Sequence, residues 1–156
     1  MSEGTMITTT GEITLITLQN CPSDITYLAD FFQKVAGLGV NVDMISLAPA
    51  HGAITSLSFT IADNDLVKIL NFTSKLREET GIKTIVSSGN SKIAVYDAKM
   101  KNTPGVAAKV FQAAAKVNTD LRIISTSDVE IAILVTAADY NLSLIHICIG
   151  QFYDYI

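Results

Sequence analysis

The sequence predicts an α+β fold of two βαββαβ units in tandem, each a four-stranded antiparallel sheet with its helices on one face. Three observations predict it. The segment Phe32 to Ser46 (FQKVAGLGVNVDMIS) returns without a gap as Phe111 to Ser125 (FQAAAKVNTDLRIIS), 79 residues later. After a slightly shorter connection, Thr60-Ile-Ala-Asp63-Asn-Asp-Leu66 matches Thr136-Ala-Ala-Asp139-Tyr-Asn-Leu142, so a pattern of two equivalent units is present. The second copy ends one strand short, and an extended N-terminal segment is left over.

Each element follows from local pattern. Glu12 to Leu18 (EITLITL) alternates and is rich in β-branched residues, which reads as a strand with one buried face. The loop Gln19 to Asp24 follows, with Ser23 or Asp24 placed to cap a helix whose apolar positions Leu28, Phe31, Phe32 and Val35 recur at helical spacing. Gly37 and Gly39 end that helix. Val40 to Leu47 and Ile54 to Ile61 are two strands joined through Pro49-Ala-His-Gly52, a segment with turn chemistry. Asp63-Asn-Asp65 caps a second helix, Gly81 stops it, and Lys83 to Ser87 is a fourth strand.

The order then begins again. Ser91 to Tyr96 is a strand, and Pro104 starts a helix at a position that tolerates its missing N–H. Val106, Val110, Ala114 and Val117 form the buried stripe of that helix. Leu121 to Ser125 and Val129 to Val135 make a hairpin, and Asp139 starts a last helix with Leu142, Ile145, Ile149 and Phe152 on one face. A sheet lacking its fourth member exposes an apolar edge, so Thr5 to Thr9 is expected to cross over and complete the second unit. The boundaries read as residues 10–89 for the first unit and 90–156, with 4–9, for the second. This is a ferredoxin-like arrangement used twice.

Bulk properties narrow the function classes. Of 156 residues, 49% are apolar and only 17% charged, which predicts that a partner covers part of the surface. No apolar run is long enough to span a bilayer, and MSEGTMITTT is not a secretion signal, so a soluble cytoplasmic protein is expected. Cys21 and Cys148 are far apart and outside any metal-type spacing, which fits reduced thiols. The net charge of −4 is no nucleic-acid footprint.

Two ordered stretches carry a family resemblance. Met100-Lys-Asn-Thr-Pro-Gly-Val-Ala-Ala-Lys-Val-Phe111, followed by Ile124-Ser-Thr-Ser-Asp128, resembles the second ACT domain of aspartokinases, where Met-x-x-x-Pro-Gly-Val-Ala-Ala-x-x-Phe leads to an Ile-Ser-Thr-Ser-Glu turn. Asn41-Val-Asp-Met-Ile-Ser46 is similar to the second strand of the first ACT domain. Gly4-Thr-Met-Ile7 resembles the Gly-Thr-Leu-Ile segment that leaves the kinase domain and enters the regulatory tandem.

The resemblance implies a regulatory module that binds an end-product amino acid (lysine, threonine or methionine) at ACT–ACT interfaces, and that dimerises. Carried onto this chain, the ligand loop of the second unit is Asn102, Thr103, Pro104, Gly105, Val106 and Ala107, with Ser127 and Asp128 on the hairpin. Asp120 and Leu121 are the opposing strand positions. In the first unit the corresponding places are Ser23, Asp24 and Thr26 on the loop and Asn41 and Val42 on the strand. That loop departs from the pattern: the family's Val-Pro-Asp-Lys-Pro-Gly is here Cys21-Pro22-Ser23-Asp24-Ile25-Thr26, and a β-branched threonine does not take glycine's positive-φ conformations cheaply. Independently of family, a helix N-terminus offers unpaired N–H groups to an α-carboxylate, and Asp120, Asp128 or Ser127 offer acceptors for the ammonium.

Plainer readings stand beside these. Pro104-Gly105 is also ordinary capping geometry. Ser125, Thr126 and Ser127 read as turn formers, His51 as a solvated loop residue, His146 as a core-edge or interface residue, and Cys21 as a packed thiol. No phosphate-cradling glycine loop, catalytic lysine context or convergent acid/base set occurs, so no catalysis by this chain alone, no cofactor and no metal are expected. An N-terminal kinase domain ahead of Gly4 is implied as partner, with neither nucleic acid nor membrane. The rival reading is a free-standing ACT-type dimerisation scaffold without ligand binding.

Overall fold

The computed structural model of the chain describes residues 4–141. Its elements, in order, are β1 (Met6–Pro22), α1 (Ile25–Gly37), β2 (Ile45–Leu47), β3 (Ile54–Ala62), α2 (Leu66–Thr80), β4 (Lys83–Tyr96), α3 (Val106–Lys116), β5 (Leu121–Thr126) and β6 (Glu130–Thr136). Short 3-10 turns at Asp63–Asp65 and Ala98–Asn102 precede α2 and α3.

The chain divides into two compact units, Glu12–Ser88 and Met1–Gly11 with Gly89–Ile156. In the first the strand order is β2-β3-β1-β4, and in the second it is β1-β4-β6-β5. Written in the order of each repeat, both are the same antiparallel arrangement, and among the described residues Met6–Gly11 supplies the fourth strand of the second unit. The α+β expectation is borne out.

Alternation explains the cores. Ile16 and Leu18 of β1 lie opposite Phe59 and Leu57 of β3, so all four project from one face of the sheet. On that face they meet Leu28, Phe31 and Val35 from α1 and Ile69 from α2. Phe31 and Phe32 approach Phe59 edge-on at centroid distances of 5.7 and 5.6 Å, a geometry that suits the ring quadrupoles. The second core repeats the plan with smaller side chains: Ile93 and Val95 oppose Ile133 and Ile131, and α3 contributes Val110 and Ala113. Two buried hydroxyls are paired locally, Thr73 with the Leu70 carbonyl and Thr55 with the Ala48 carbonyl.

Several local expectations are corrected. The segments expected as Thr5 to Thr9 and Glu12 to Leu18 are one strand that starts at Met6, as are Lys83 to Ser87 and Ser91 to Tyr96. The glycines between them do not end the strands, because Glu12 (φ 55°) and Gly89 (φ 71°) each absorb a single left-handed residue. Gln19 to Pro22 is strand rather than loop: the register shifts between Leu18 and Cys21, Asn20 takes φ 59°, and Cys21 stays fully buried. The strand expected from Val40 is only Ile45–Leu47, because the Thr60 hydroxyl takes the Met44 amide and disturbs the ladder there.

Capping also differs. Asp24 and Asp65 occupy N-cap positions but make no side-chain cap bond. Asp63 begins a 3-10 turn instead, and its carboxylate accepts from Thr14 Oγ1 at 2.6 Å. Pro104 lies ahead of α3, which starts at Val106 after a left-handed Gly105. Tyr140 and Asn141 are helical. Leu142, His146, Ile149, Phe152 and the remainder of the expected last helix, with Cys148, lie outside the described residues.

Candidate functional site

The loop between β4 and α3 is built by short-range hydrogen bonds. Asp97 opens it: its Oδ1 accepts the Lys99 amide at 2.9 Å and its carbonyl accepts the Met100 amide at 3.0 Å. Thr103 closes the 3-10 turn, donating its amide to the Met100 carbonyl at 3.1 Å and its hydroxyl to the Lys99 carbonyl at 2.8 Å. Asn102, Thr103 and Pro104 are exposed. Gly105 then takes φ 91° and ψ 0° as N-cap, with no side chain capping the helix. Its carbonyl accepts from Lys109, which leaves the amides of Val106, Ala107 and Ala108 as the helix's unpaired first turn. Val106 turns into the core, while Ala107 is exposed.

The β5–β6 hairpin lies against this loop. The Asp97 amide donates to the Val129 carbonyl at 2.9 Å, and Lys101 Nζ stands 3.8 Å from Asp128 Oδ2. Both charged side chains are exposed, so this pair holds the two segments only weakly. Ser127 is a turn former: its Oγ accepts the Val129 and Glu130 amides at 3.3 and 3.1 Å. That leaves its hydroxyl proton as the only part free for another group. Asp128 is the hairpin carboxylate that reaches the loop, through Lys101.

Asp120 and Leu121 are elsewhere in the unit. They precede and begin β5, whose six residues span roughly 20 Å, and the hairpin lies at its far end. Asp120 pairs with Arg122 at 3.0 Å and donates its amide to Asp139 Oδ2 at 2.9 Å. The structure therefore links the loop to the hairpin through Asp97 with Val129 and Lys101 with Asp128, and places Asp120 and Leu121 at the other end of β5. Asp120 is not a neighbouring acceptor within its own unit.

The first unit repeats this layout. Ser23 donates its amide to the Ala53 carbonyl at 3.0 Å, Asp24 gives its carbonyl to Leu28, and Thr26 is exposed in the first turn of α1. Asn41 and Val42 follow α1, whose 13 residues put roughly 20 Å between them and Ser23. Val42 packs on the first core and Asn41 is exposed.

Beside the Ser23 loop lies a shallow cleft of about 460 Å³ lined by Gln19, Asn20, Pro49, His51, Ile54, Thr55 and Ser56. Sequence reasoning passed over Gln19, Asn20 and Ser56; the signal available was an asparagine, a residue tolerant of positive φ, just ahead of Cys21-Pro22. A second cleft, of about 220 Å³, lies between α1 and α2 beside Tyr27, Phe31 and Phe72, away from both loops. Burial pushes the Cys21 thiol up from its ordinary value. The Tyr27 phenol is also raised, first by burial and then by the nearby Cys21 and Asp30. Cys21 is thus a packed, unreactive thiol. Among the described residues no cluster of three or more metal-ligating side chains occurs, and no helix is long and apolar enough to cross a membrane.

Comparison with known proteins bears on this geometry. Residues 93–148 match the sequence profile of the ACT domain family, a span that contains the whole β4–α3 loop and the hairpin. An aspartokinase of Bacillus sp. (strain MGA3) is 31% identical over 127 residues, covering 80% of this chain and 30% of that protein. The chain thus spans about three tenths of the length of the curated relatives it matches. Among solved structures, the regulatory subunit of aspartate kinase from Thermus thermophilus, in its ligand-free form, superposes with a TM-score of 0.83 at 25% identity, covering 94% of this chain and 96% of that one. The corresponding subunit from Thermus flavus gives 0.80 at 26%, covering 90% and 94%.

Proposed function

We propose that this chain, which resembles the C-terminal tandem ACT regulatory region of aspartokinases over most of its length, is an amino-acid-sensing allosteric module. Its ligand is an end product of the aspartate family (lysine, threonine or methionine), and its output is feedback control of an aspartate kinase whose catalytic domain lies N-terminal to Gly4. The observation that carries the reading is Gly105: a left-handed N-cap without a side-chain cap leaves the first-turn amides of α3 open toward an α-carboxylate. In this reading Asp128, exposed on the hairpin and 3.8 Å from Lys101 of the loop, accepts from the ammonium.

In this reading the ligand side chain is measured by strand positions of another unit. Asp120 and Leu121, or Asn41 and Val42, are too far from the loop of their own unit to do so. The site is then completed by pairing of two chains, and a ligand that fits one pairing shifts the population toward it. Exposed Ile25 (75%), Ile45 (54%) and Leu47 (48%) on the first unit suit coverage by such a partner. The first-unit loop, lacking a Pro-Gly step, is the weaker of the two candidate ligand loops. That loss favours the rival of a dimerisation scaffold.

Calorimetry with lysine, threonine and methionine tests the proposal, together with sedimentation of the chain with and without ligand. Micromolar binding to a dimer, lost in Gly105→Asp and weakened in Asp128→Asn, supports the sensor. Silence toward all twenty amino acids in a stable dimer leaves the scaffold.

A further inference from the structure

The start of the chain is tied to the base of the candidate loop by one side-chain pair. Thr5 Oγ1 donates to Asp97 Oδ2 at 2.8 Å, a contact across 92 positions of sequence and partly buried. The second carboxylate oxygen, Oδ1, holds the Lys99 amide, and the Asp97 main chain holds Met100 on one side and Val129 on the other. From there Thr103 bonds to both Lys99 and Met100, which brings the connected set to the residue before Pro104. All these residues belong to one compact unit. Asp97 thus bonds to the N-terminal segment, the loop and the hairpin at once.

A carboxylate with both oxygens engaged is fixed in rotation. If Thr5 lets go, the group is free to swing about its χ torsions, and the bond to Lys99, which it also supplies, weakens with it. We propose that Asp97 is a positioning residue that couples the 98–105 loop to residues 4–8, so that the order of one and the order of the other are a single property. The latch stands on the geometry alone; its use as an output toward whatever precedes Gly4 rests on the amino-acid-sensing reading above. By reciprocity, a pull on the N-terminal segment changes the affinity of the loop by the same factor that occupancy of the loop changes the order of the segment.

Residue-resolved hydrogen exchange on the full chain tests the coupling with Thr5→Val, which keeps the side-chain shape and removes the donor, and with Asp97→Ala. Without ligand, Thr5→Val is expected to speed exchange of the Lys99 and Met100 amides by roughly tenfold, the loss of one charge-assisted bond, while amides of β6 stay unchanged. If only Asp97→Ala speeds them, the carboxylate is a local cap and the coupling is refuted. In a second arm, saturating lysine, threonine or methionine, whichever calorimetry shows to bind, slows exchange at residues 5–8 in the wild type and leaves it unslowed in Thr5→Val. Slowing that persists in Thr5→Val overturns the proposal. If none of the three amino acids binds, the sensing reading fails and the ligand-free arm still decides the latch.

Discussion

Replacing Gly105 by alanine isolates the backbone requirement of the β4–α3 loop. An added Cβ there meets nothing within 4 Å, so no clash contributes and the whole cost is conformational. The residue sits at φ 91°, a region in which an L side chain is strained by about 1–3 kcal/mol. Alanine also removes freedom from the unfolded chain, which returns about 0.4–1 kcal/mol. The net expectation is a loss of roughly 1–2 kcal/mol, or about 2–8 °C in the melting temperature of a chain of this size. Gly37→Ala is the matched control: it closes α1, has no positive φ, and also has open space around the new Cβ. There the same substitution is expected to stabilise by roughly 0.5–1 kcal/mol through helix propensity and unfolded-state entropy. Urea titration followed by circular dichroism, with calorimetric scans, measures both. A Gly105→Ala protein as stable as the wild type, or shifted in the same direction as Gly37→Ala, refutes the claim that the loop depends on a left-handed N-cap.

Two further outcomes follow from the cores. Phe32 and Phe111 hold the same place in the repeat, but Phe32 packs edge-on against Phe31 and Phe59 at 5.3 and 5.6 Å whereas Phe111 is 47% exposed. Phe32→Ala is therefore expected to cost about 2–4 kcal/mol and Phe111→Ala less than about 1 kcal/mol, measured by denaturant midpoints; equal costs would contradict the packing described. The Tyr27 hydroxyl is buried without a hydrogen-bond partner, so Tyr27→Phe is expected to leave stability at pH 7 unchanged or slightly higher. The Cys21 thiol and Tyr27 phenol are both raised above their ordinary values of 9.0 and 10.0, so each favours the folded state while protonated. Their contribution is full below those values and is lost as pH rises through the higher folded ones. Thermal scans from pH 7 to 11 should fall at the alkaline end, less steeply in Tyr27→Phe; an unchanged slope would remove Tyr27 from the account.

The repeat and the order of elements were legible because they depend on short windows. Leu28, Phe31 and Val35 announce a helix face by spacing, and Glu12 to Leu18 announces a strand by alternation, whatever lies elsewhere in the chain. The Pro104-Gly105 step was legible for the same reason, since the demand for positive φ is a property of one residue. Strand limits were not. The segments on either side of Gly11 and Gly89 read locally as separate strands, and yet β1 and β4 run on past them, because the ladder partners on either side outweigh one left-handed residue. The caps failed in a similar way: Asp63 was read as holding the start of its own helix, and its carboxylate instead reaches Thr14, 49 positions away, on β1.

By itself the amino-acid order determined two like α+β units, their helix and strand faces, and a glycine-dependent turn before α3, since each of these is decided by side-chain period or by the steric limits of a single residue. Only the tertiary structure decided that the hairpin meets the segment before that turn, through Val129 on Asp97 and Asp128 on Lys101, while Asp120 pairs with Arg122 instead, and that Thr5 reaches Asp97. The physical reason is distance along the chain. Such contacts close loops of many residues, and which of them form depends on strand register and on the length of β5 and α1, quantities set by the packing of whole sheets and absent from any local window.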